Sequence, residues 1–441
     1  MKHKWNILVG ADKNKIINAI EEFKLSLKIN KEILGGVETS KRIVKIIKIM
    51  EGKFKDKRLL VISSSFPDKT NNFYGGIFVK EQLKYLKDYF KKVIVISPVP
   101  QTFDIFEMDK WCKNYGFDNI EVYFPRYWCV PLFGFKKRLG NRQFKVVDKL
   151  IKKENLKFDL IHCHFTYPAS YVGVKLKEKY KKPLVVTAHG YDIYDLPFRN
   201  EFWKNKLSHI LNKADKIIAV SERNLNCIEK LGFKNTAVVI PNGFDKEKFY
   251  YKDMLKCRKK LNLPLDKKII LTVGNLVEVK GQKYLIEAMK SIVKQRKDVL
   301  CYIVGEGKLK SKLTKKIKTL GLQDYIKLMG EESHTKIPLW MNACDLFVLP
   351  SLNESFGVVQ IEAMACGKPV VATKNGGSEE IITSKDYGLL CEPANPEDLA
   401  EKILIGLDKK WDEEYILNYA KQFTWEKIAK EIINIYERVL K

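Results

Sequence analysis

Short runs of apolar, mostly β-branched residues alternate with amphipathic stretches along most of the chain, which is the pattern of parallel strands with helices on both faces. The first six runs lie at 58–63, 93–97, 160–163, 184–188, 216–220 and 237–240. After a connector at 241–268, six more lie at 269–273, 300–304, 326–328, 346–349, 370–372 and 388–390. The pattern predicts two doubly wound α/β domains, with the carboxyl ends of their strands facing a cleft.

The two ends of the chain depart from this alternation. Residues 12–23 and 38–48 have helix-like apolar spacing, so residues 1–56 are predicted to form a helical N-terminal extension. We assign no chemistry to it. Residues 411–441 carry large apolar side chains at helical spacing and predict an amphipathic helix.

Composition narrows the class of protein. A chain of 441 residues is too long for one hydrophobic core. Its net charge of +27 predicts attraction to polyanions such as nucleic acid, acidic lipid or phosphorylated substrates. The nine cysteines contain no CxxC pair, which favours free thiols in a reducing cytoplasm. No run of 18 apolar residues occurs, and the first apolar run is too short for a signal peptide, so we expect a cytoplasmic location.

The most informative residues are two glutamates, Glu354 and Glu362. Glu354 follows a predicted strand, whereas the apolar spacing around Glu362 places it in a helix that opens near Phe356 or Gly357. The carboxylates therefore flank a helix N-terminus, which attracts anions through its free N–H groups and its dipole. A diphosphate held there could present a sugar to one carboxylate and a ribose to the other.

The surrounding residues 351–377 resemble the donor-site signature of the retaining GT-B glycosyltransferases of family 4, also called group 1, and the resemblance runs from Arg58 to the C-terminus. It implies an acceptor domain at 57–245, completed by a helix at 415–441, and a donor domain at 246–414. It also implies transfer of a hexose-type sugar from a nucleoside diphosphate to a glycan or lipid-linked acceptor. Anomeric configuration would be retained, with the leaving phosphate helping to deprotonate the acceptor, and no metal or cofactor would be required.

The resemblance gives the residues of this motif separate roles. Glu354 would hold hydroxyls of the donor sugar, and Glu362 would hold those of the ribose. The backbone of Phe356, Gly357 and Val358 would hold the diphosphate.

Glycine-rich turns after other strands are expected at the same site. Gly75 and Gly76 lie between the first strand and a helix, where a glycine backbone can approach a phosphate or sugar closely. Gly305 and Gly330 end two later strands, and in the family these loops approach the nucleotide base.

Cations are needed where the leaving phosphate gains charge. The family usually supplies an Arg and a Lys from the loop after the first strand of the donor domain. Lys280 matches the Lys, but Asn275 stands where Arg is common. We therefore expect Lys280, Glu354 and His189 to be the catalytic residues, with Asn275 as an uncharged phosphate contact.

His189 ends a predicted strand and is followed by glycine, which favours a place in the cleft. In the family the matching histidine positions the transferred sugar, with Tyr191 and Asp192 beside it in the acceptor region. His162 and His164 alternate along another strand. We favour cleft lining by His164 over a metal site, because no carboxylate or cysteine stands at a recognisable ligand spacing.

Residues 123–138 mix six aromatic with four basic residues, a composition typical of lipid headgroup boundaries. An ordinary loop with buried aromatics is the alternative, but the overall charge favours a peripheral enzyme on an acidic membrane surface. Two other classes stay open. The N-terminal segment resembles the tail of a non-hydrolysing sugar-nucleotide epimerase, and the basic charge suits a nucleic-acid-binding protein. We expect no nucleic-acid partner, because no such module is recognised.

Overall fold

The fold is built on two mostly parallel β-sheets. The computed structural model describes residues 54–71, 73, 75–101, 112–128, 135–233 and 237–441. The predicted N-terminal extension, apart from its last residues, and residues 129–134 of the aromatic and basic segment lie outside the described part. Residues 56–441 form one unit, in which each sheet with its helices makes a lobe.

The first lobe contains a sheet in the order β10-β9-β8-β7-β1-β2-β5-β4, in which the pairs from β10 to β1 and the β2–β5 pair are parallel and the β4–β5 pair is antiparallel. Its strands are β1 (Phe54–Ser63), β2 (Phe90–Ile96), β4 (Tyr115–Phe117), β5 (Ile120–Tyr123), β7 (Leu160–His164), β8 (Leu184–Ala188), β9 (Lys216–Ala219) and β10 (Ala237–Val239). A separate parallel pair is formed by β3 (Val99–Gln101) and β6 (Arg126–Trp128). Its helices are α1 (Ile77–Leu86), α2 (Phe135–Lys153), α3 (Ala169–Tyr180), α4 (Tyr191–Tyr194), α5 (Glu201–Lys213) and α6 (Glu222–Glu229).

The second lobe contains an all-parallel sheet in the order β13-β12-β11-β14-β15-β16. Its strands are β11 (Lys268–Val273), β12 (Val299–Val304), β13 (Ile326–Gly330), β14 (Leu346–Leu349), β15 (Val370–Thr373) and β16 (Gly388–Cys391). Its helices are α7 (Met254–Lys260), α8 (Gln282–Gln295), α9 (Lys310–Thr319), α10 (Ile337–Ala343), α11 (Val358–Ala365), α12 (Ser378–Ile381), α13 (Pro396–Asp408) and α14 (Glu413–Ala420).

Every strand predicted from the apolar runs is present, and the predicted class of two doubly wound α/β lobes is confirmed. Buried parallel strands read as continuous apolar runs because both faces are covered by helices. The pattern does not predict β3 to β6, whose three or four residues are too few to show a period. The described parts of the segment at 123–138, for which an ordinary loop was the alternative above, contain the end of β5, β6 and the start of α2.

The chain crosses between the lobes at two adjacent places. The backbone N–H of Phe244 donates to Phe423, and that of Trp425 donates back to Phe244. The predicted C-terminal helix is two helices, α14 and α15 (Trp425–Leu440), because the turn at Lys421–Phe423 interrupts it. Tyr436 of α15 is fully buried against β2 and β7, so the end of the chain lies on the first lobe. The residue boundaries given for the domains stay predictions.

Candidate functional site

A cavity of about 480 Å³ lies between the lobes at the carboxyl ends of the parallel strands. The second lobe contributes Lys280 and the segment from Glu354 to Val359. The first lobe contributes His189 and a mainly aromatic wall: Ser64, Phe78, Phe165, Tyr167, Gly190, Tyr191, Asp192, Tyr194 and Asn242. A larger open groove exists at the opposite end of the first sheet, but none of the predicted site residues lines it.

Glu354 and Lys280 form an ion pair on the cavity wall. Lys280 Nζ donates to Glu354 Oε1 at 2.6 Å, and Ser351 Oγ donates to the same oxygen at 2.8 Å. The loops can approach closely because Gly281 lacks a side chain: a Cβ there would lie 1.9 Å from the carbonyl oxygen of Pro350. Since an ammonium group has three N–H donors, Lys280 can hold Glu354 and still contact an anion.

The N-terminus of α11 opens on the same cavity. Gly357 has φ +80°, and a Cβ there would lie 2.4 Å from Gln360 Nε2. A side chain is therefore excluded at this turn by both conformation and space. The first N–H groups of a helix have no partner within it, so Val358 and Val359 present donors to an anion at this end.

Glu362 lies one turn further along α11 and does not line the cavity. It is buried, and Glu81 of α1 and Lys248 are its charged neighbours. Burial, together with the nearby Glu81 carboxylate, raises the pKa of Glu362 to about 8, although Lys248 acts in the opposite direction. Glu81 in turn accepts from Lys248 Nζ at 2.6 Å. Glu362, which the sequence predicts to bind the ribose, therefore packs beside an acidic residue of the other lobe. Its own carboxyl group is protonated at neutral pH.

On the first lobe, the glycine pair after β1 shapes the loop between β1 and α1. Gly76 precedes α1 with φ +74°, and a Cβ there would lie 2.3 Å from the carbonyl oxygen of Ser65. A Cβ at Gly75 would be equally close to the Ser65 hydroxyl. The neighbours Ser64 and Phe78, rather than the glycines themselves, line the cavity.

His189 stands at the end of β8 between two aromatic rings. Its ring centroid lies 4.7 Å from that of Phe78 and 4.9 Å from that of Phe165. Burial lowers the pKa of His189 to about 3, so the imidazole is neutral across the physiological range. Its Nε2 atom lies 2.9 Å from His164 Nδ1, and His164 is fully buried below it rather than exposed in the cleft.

This histidine pair has a preferred proton arrangement. Among the described residues, neither His189 Nδ1 nor His164 Nε2 has a hydrogen-bond partner. Either direction of the hydrogen bond between the two rings leaves one buried N–H unpaired, at Nδ1 of His189 or at Nε2 of His164. We predict that His164 donates from Nδ1 and that His189 carries its proton on Nδ1, because His189 lines the cavity whereas His164 is fully buried.

Asp192 holds the loop that carries His189. Its carboxylate accepts from the backbone N–H of Gly190 and of Thr166, both at 2.7 Å. Asp192 is buried, whereas Tyr191 is about half exposed at the cavity mouth. Asp192 therefore contributes chiefly through the loop it organises.

The remaining predicted residues lie at neighbouring strand ends. A Cβ at Gly305 would lie 2.1 Å from the carbonyl oxygen of Gly274, and the Gly305 N–H donates to Gly330 at 2.7 Å. The carbonyl of Asn275 accepts from Gln282. These contacts bring the ends of β11, β12 and β13 together beside the cavity, without placing the three predicted residues in its wall.

Sequence reasoning missed several residues of the site. Asn242, Ser355 and Tyr194 line the cavity, and Arg223 contacts the turn that carries Glu354. A turn signal was available for Asn242, which lies between a proline and a glycine after β10. No local pattern marks Arg223.

Comparison with known proteins shows the family. Residues 253–423 match the model of glycosyl transferases group 1, and residues 77–248 match that of glycosyltransferase family 4. An uncharacterised glycosyltransferase of Methanocaldococcus jannaschii is 35% identical over 86% of this chain and 99% of its own length. The chain belongs to the group 1 glycosyltransferases. This membership favours a transferase over the epimerase and the nucleic-acid-binding protein considered above.

Solved structures show that this glycosyltransferase has the GT-B fold. Sucrose-phosphate synthase from Thermosynechococcus elongatus matches with a TM-score of 0.71 at 22% identity, covering 87% of this chain and 98% of the other. Anabaena HepE in complex with UDP-glucose matches with a TM-score of 0.67 at 24% identity, covering 87% of this chain and 100% of the other.

Two features are absent from the part of the chain that the structure describes. Among the described residues, no cluster of three or more histidine, cysteine or acidic side chains is arranged to hold a metal ion. None of the helices in the described ranges is long and apolar enough to span a membrane.

Proposed function

We propose that this glycosyltransferase moves a hexose-type sugar from a nucleoside diphosphate to a glycan or lipid-linked acceptor, with retention of configuration and without a metal. The observation that carries the proposal is the cavity itself. It brings together the Lys280 and Glu354 pair, the α11 N-terminus and the neutral His189 around one space. The complex of Anabaena HepE with UDP-glucose supports a nucleotide sugar as donor.

Each group has a task in this reaction. The diphosphate lies at the N–H groups of α11 with Lys280 beside it, where fixed positive charge stabilises the leaving phosphate. Glu354 orients hydroxyls of the sugar, and His189 donates to the sugar from the opposite wall. Glu362 binds the hydroxyl groups of the ribose. The leaving phosphate takes the acceptor proton on the same face, so no second catalytic carboxylate is needed.

A panel of UDP-, GDP- and ADP-sugars tests the donor class by thermal shift and by turnover. We expect at least one donor to stabilise the protein and Lys280→Ala to lower turnover by about 100-fold. Exposed Lys315 of α9, replaced by alanine, is the matched control. Retention is read from the anomeric signal of the product by NMR, and metal independence from unchanged turnover in EDTA. If no donor binds and Lys280→Ala behaves like the control, the proposal fails.

The acceptor side of the cavity continues into an aromatic and basic surface. Tyr167 lines the cavity, and Lys206 Nζ lies 5.2 Å from its ring centroid. Phe202 is exposed nearby, and Lys137 Nζ lies 4.4 Å from its ring centroid. Trp128, next to α2, is 59% exposed. Exposed aromatics with lysines suit an acidic membrane surface, so the proposal includes peripheral binding at the cytoplasmic face of a membrane.

Vesicle flotation tests the membrane contact. Reversing the charge of Lys136, Lys137 and Arg138 should lower partitioning onto anionic vesicles on the order of 100-fold, because each basic residue near such a surface contributes about 1 kcal/mol. Reversal of three exposed lysines of α9, namely Lys312, Lys315 and Lys318, is the control. Equal partitioning of the two variants would remove this part of the proposal.

A further inference from the structure

Arg223 reaches from the first lobe into the second. It is the second residue of α6, directly after β9, and its side chain is half-buried. Its Nη1 atom lies 2.7 Å from the carbonyl oxygen of Asn375, 2.9 Å from Asn353 Oδ1 and 3.3 Å from the carbonyl oxygen of Glu354. One guanidinium therefore contacts three oxygens of the other lobe.

A second connection runs in the reverse direction. Glu380 of α12 accepts from the backbone N–H of Glu222 at 2.8 Å and from that of Arg223 at 3.0 Å. These N–H groups open α6 and have no partner within the helix. The carboxylate of the second lobe thus caps a helix of the first.

The turn that receives the guanidinium requires glycine. Gly376 has φ +94°, and a Cβ there would lie 2.0 Å from Arg223 Nη1. A Cβ at Gly377 would lie 2.8 Å from the backbone nitrogen of Phe356. Any side chain at Gly376 would displace the guanidinium from its present position.

The oxygens that Arg223 contacts belong to the turn that holds Glu354. The Glu354 N–H donates to the same Asn375 carbonyl at 3.0 Å, so Arg223 contacts both sides of this connection. On the first lobe, the guanidinium carbon lies 5.1 Å from the ring centroid of Tyr194, which lines the cavity. Arg223 therefore joins the two walls of the cavity directly behind Glu354.

We propose that Arg223 is a positioning residue, which with Glu380 latches the two lobes and sets the Glu354 turn against the sugar site. The inference rests on the proposed function, because it assigns Glu354 to the donor sugar. Substrate exchange through an opening cleft would break both connections, and closure would restore them. All three contacts are made by Nη1, and a lysine side chain ends one bond short of that atom, so lysine does not place its ammonium group among these oxygens.

Two variants of the latch separate positioning from folding. Arg223→Lys keeps the charge, and Gly376→Ala keeps the arginine but displaces its guanidinium from the turn. We expect each to lower kcat about 10- to 100-fold while the Kd for UDP changes less than threefold, because the α11 N-terminus is untouched. The double variant should be no worse than the stronger single one. Exposed Arg438, replaced by lysine, is the matched control.

Hydrogen exchange tests the latch without any substrate. Peptides covering 351–357 and 374–380 should exchange faster in both variants than in the wild type, and Glu380→Gln should accelerate exchange at 222–225. Unchanged exchange would overturn the latch. A kcat equal to that of the wild type, or equal losses of kcat and UDP affinity, would overturn the positioning role. If the wild type turned over no nucleotide sugar, the proposed function would fail while the exchange result still decided the latch.

Discussion

Glu362 offers a direct test of the charge arrangement between the lobes. The residue is 6% exposed, and burial together with Glu81 raises the pKa of its carboxyl group from the usual 4.5 to about 8. The folded protein therefore holds this proton at pH values where the unfolded chain has lost it. The free energy of unfolding is highest, as far as this group is concerned, below pH 4.5. It falls as the pH rises and stops falling once pH 8 is passed.

The size of the effect follows from the two pKa values. Between pH 6 and pH 9, a pKa of 4.5 in the unfolded chain and of about 8 in the folded protein correspond to a loss of about 3 kcal/mol. Glu362→Gln keeps the shape of the side chain and removes the titration. The free energy of unfolding of the variant minus that of the wild type should therefore grow by about 3 kcal/mol over this range.

Urea unfolding followed by tryptophan fluorescence at pH 6, 7, 8 and 9, at constant ionic strength, measures this difference. Other titrating groups act in both proteins and cancel, including Lys80, whose pKa is lowered to about 8 mainly by burial. Exposed Glu397, replaced by glutamine, is the matched control and should give a difference that does not change with pH. A Glu362→Gln difference that was equally flat would refute the assignment of a buried, protonated carboxyl group.

Four further outcomes are expected. His164→Asn keeps a donor near the position of Nδ1 and should retain more turnover than His164→Leu. In ¹⁵N NMR of histidine-labelled protein, His189 should carry its proton on Nδ1 in the wild type, and a proton on Nε2 would contradict the proposed pairing. Gly357→Ala should lower the free energy of unfolding by about 1 kcal/mol or more, because φ is +80° and Gln360 occupies the space, and urea unfolding at pH 7 measures it. Tyr436→Phe should lower it by about 1–3 kcal/mol, because a ring nitrogen of a buried histidine loses its partner, and an unchanged midpoint would exclude a stabilising role for that hydrogen bond.

The sequence by itself determined the strands, the two-lobed class and the local turns of the site. Buried parallel strands are continuous apolar runs, so the hydrophobic pattern predicts where these strands lie along the chain. The helix opening at Gly357, and the loops carrying Lys280 and His189, are local features marked by glycines at strand ends. Residues close together in the chain remain close in the fold, which is why these loops could be located before any packing was known.

Only the tertiary structure decided which residues of the two lobes meet. Arg223 and Glu354 lie 131 positions apart, and no pattern in the chain links them. The charge state of Glu362 likewise depends on Glu81 of the other lobe and on the loss of water around it. From the sequence, Lys280 was expected to contact the leaving phosphate, whereas the structure shows that it also forms an ion pair with Glu354. Such ion pairs and protonation states depend on distances and desolvation between segments that are far apart in the chain, and these exist only after the chain has folded.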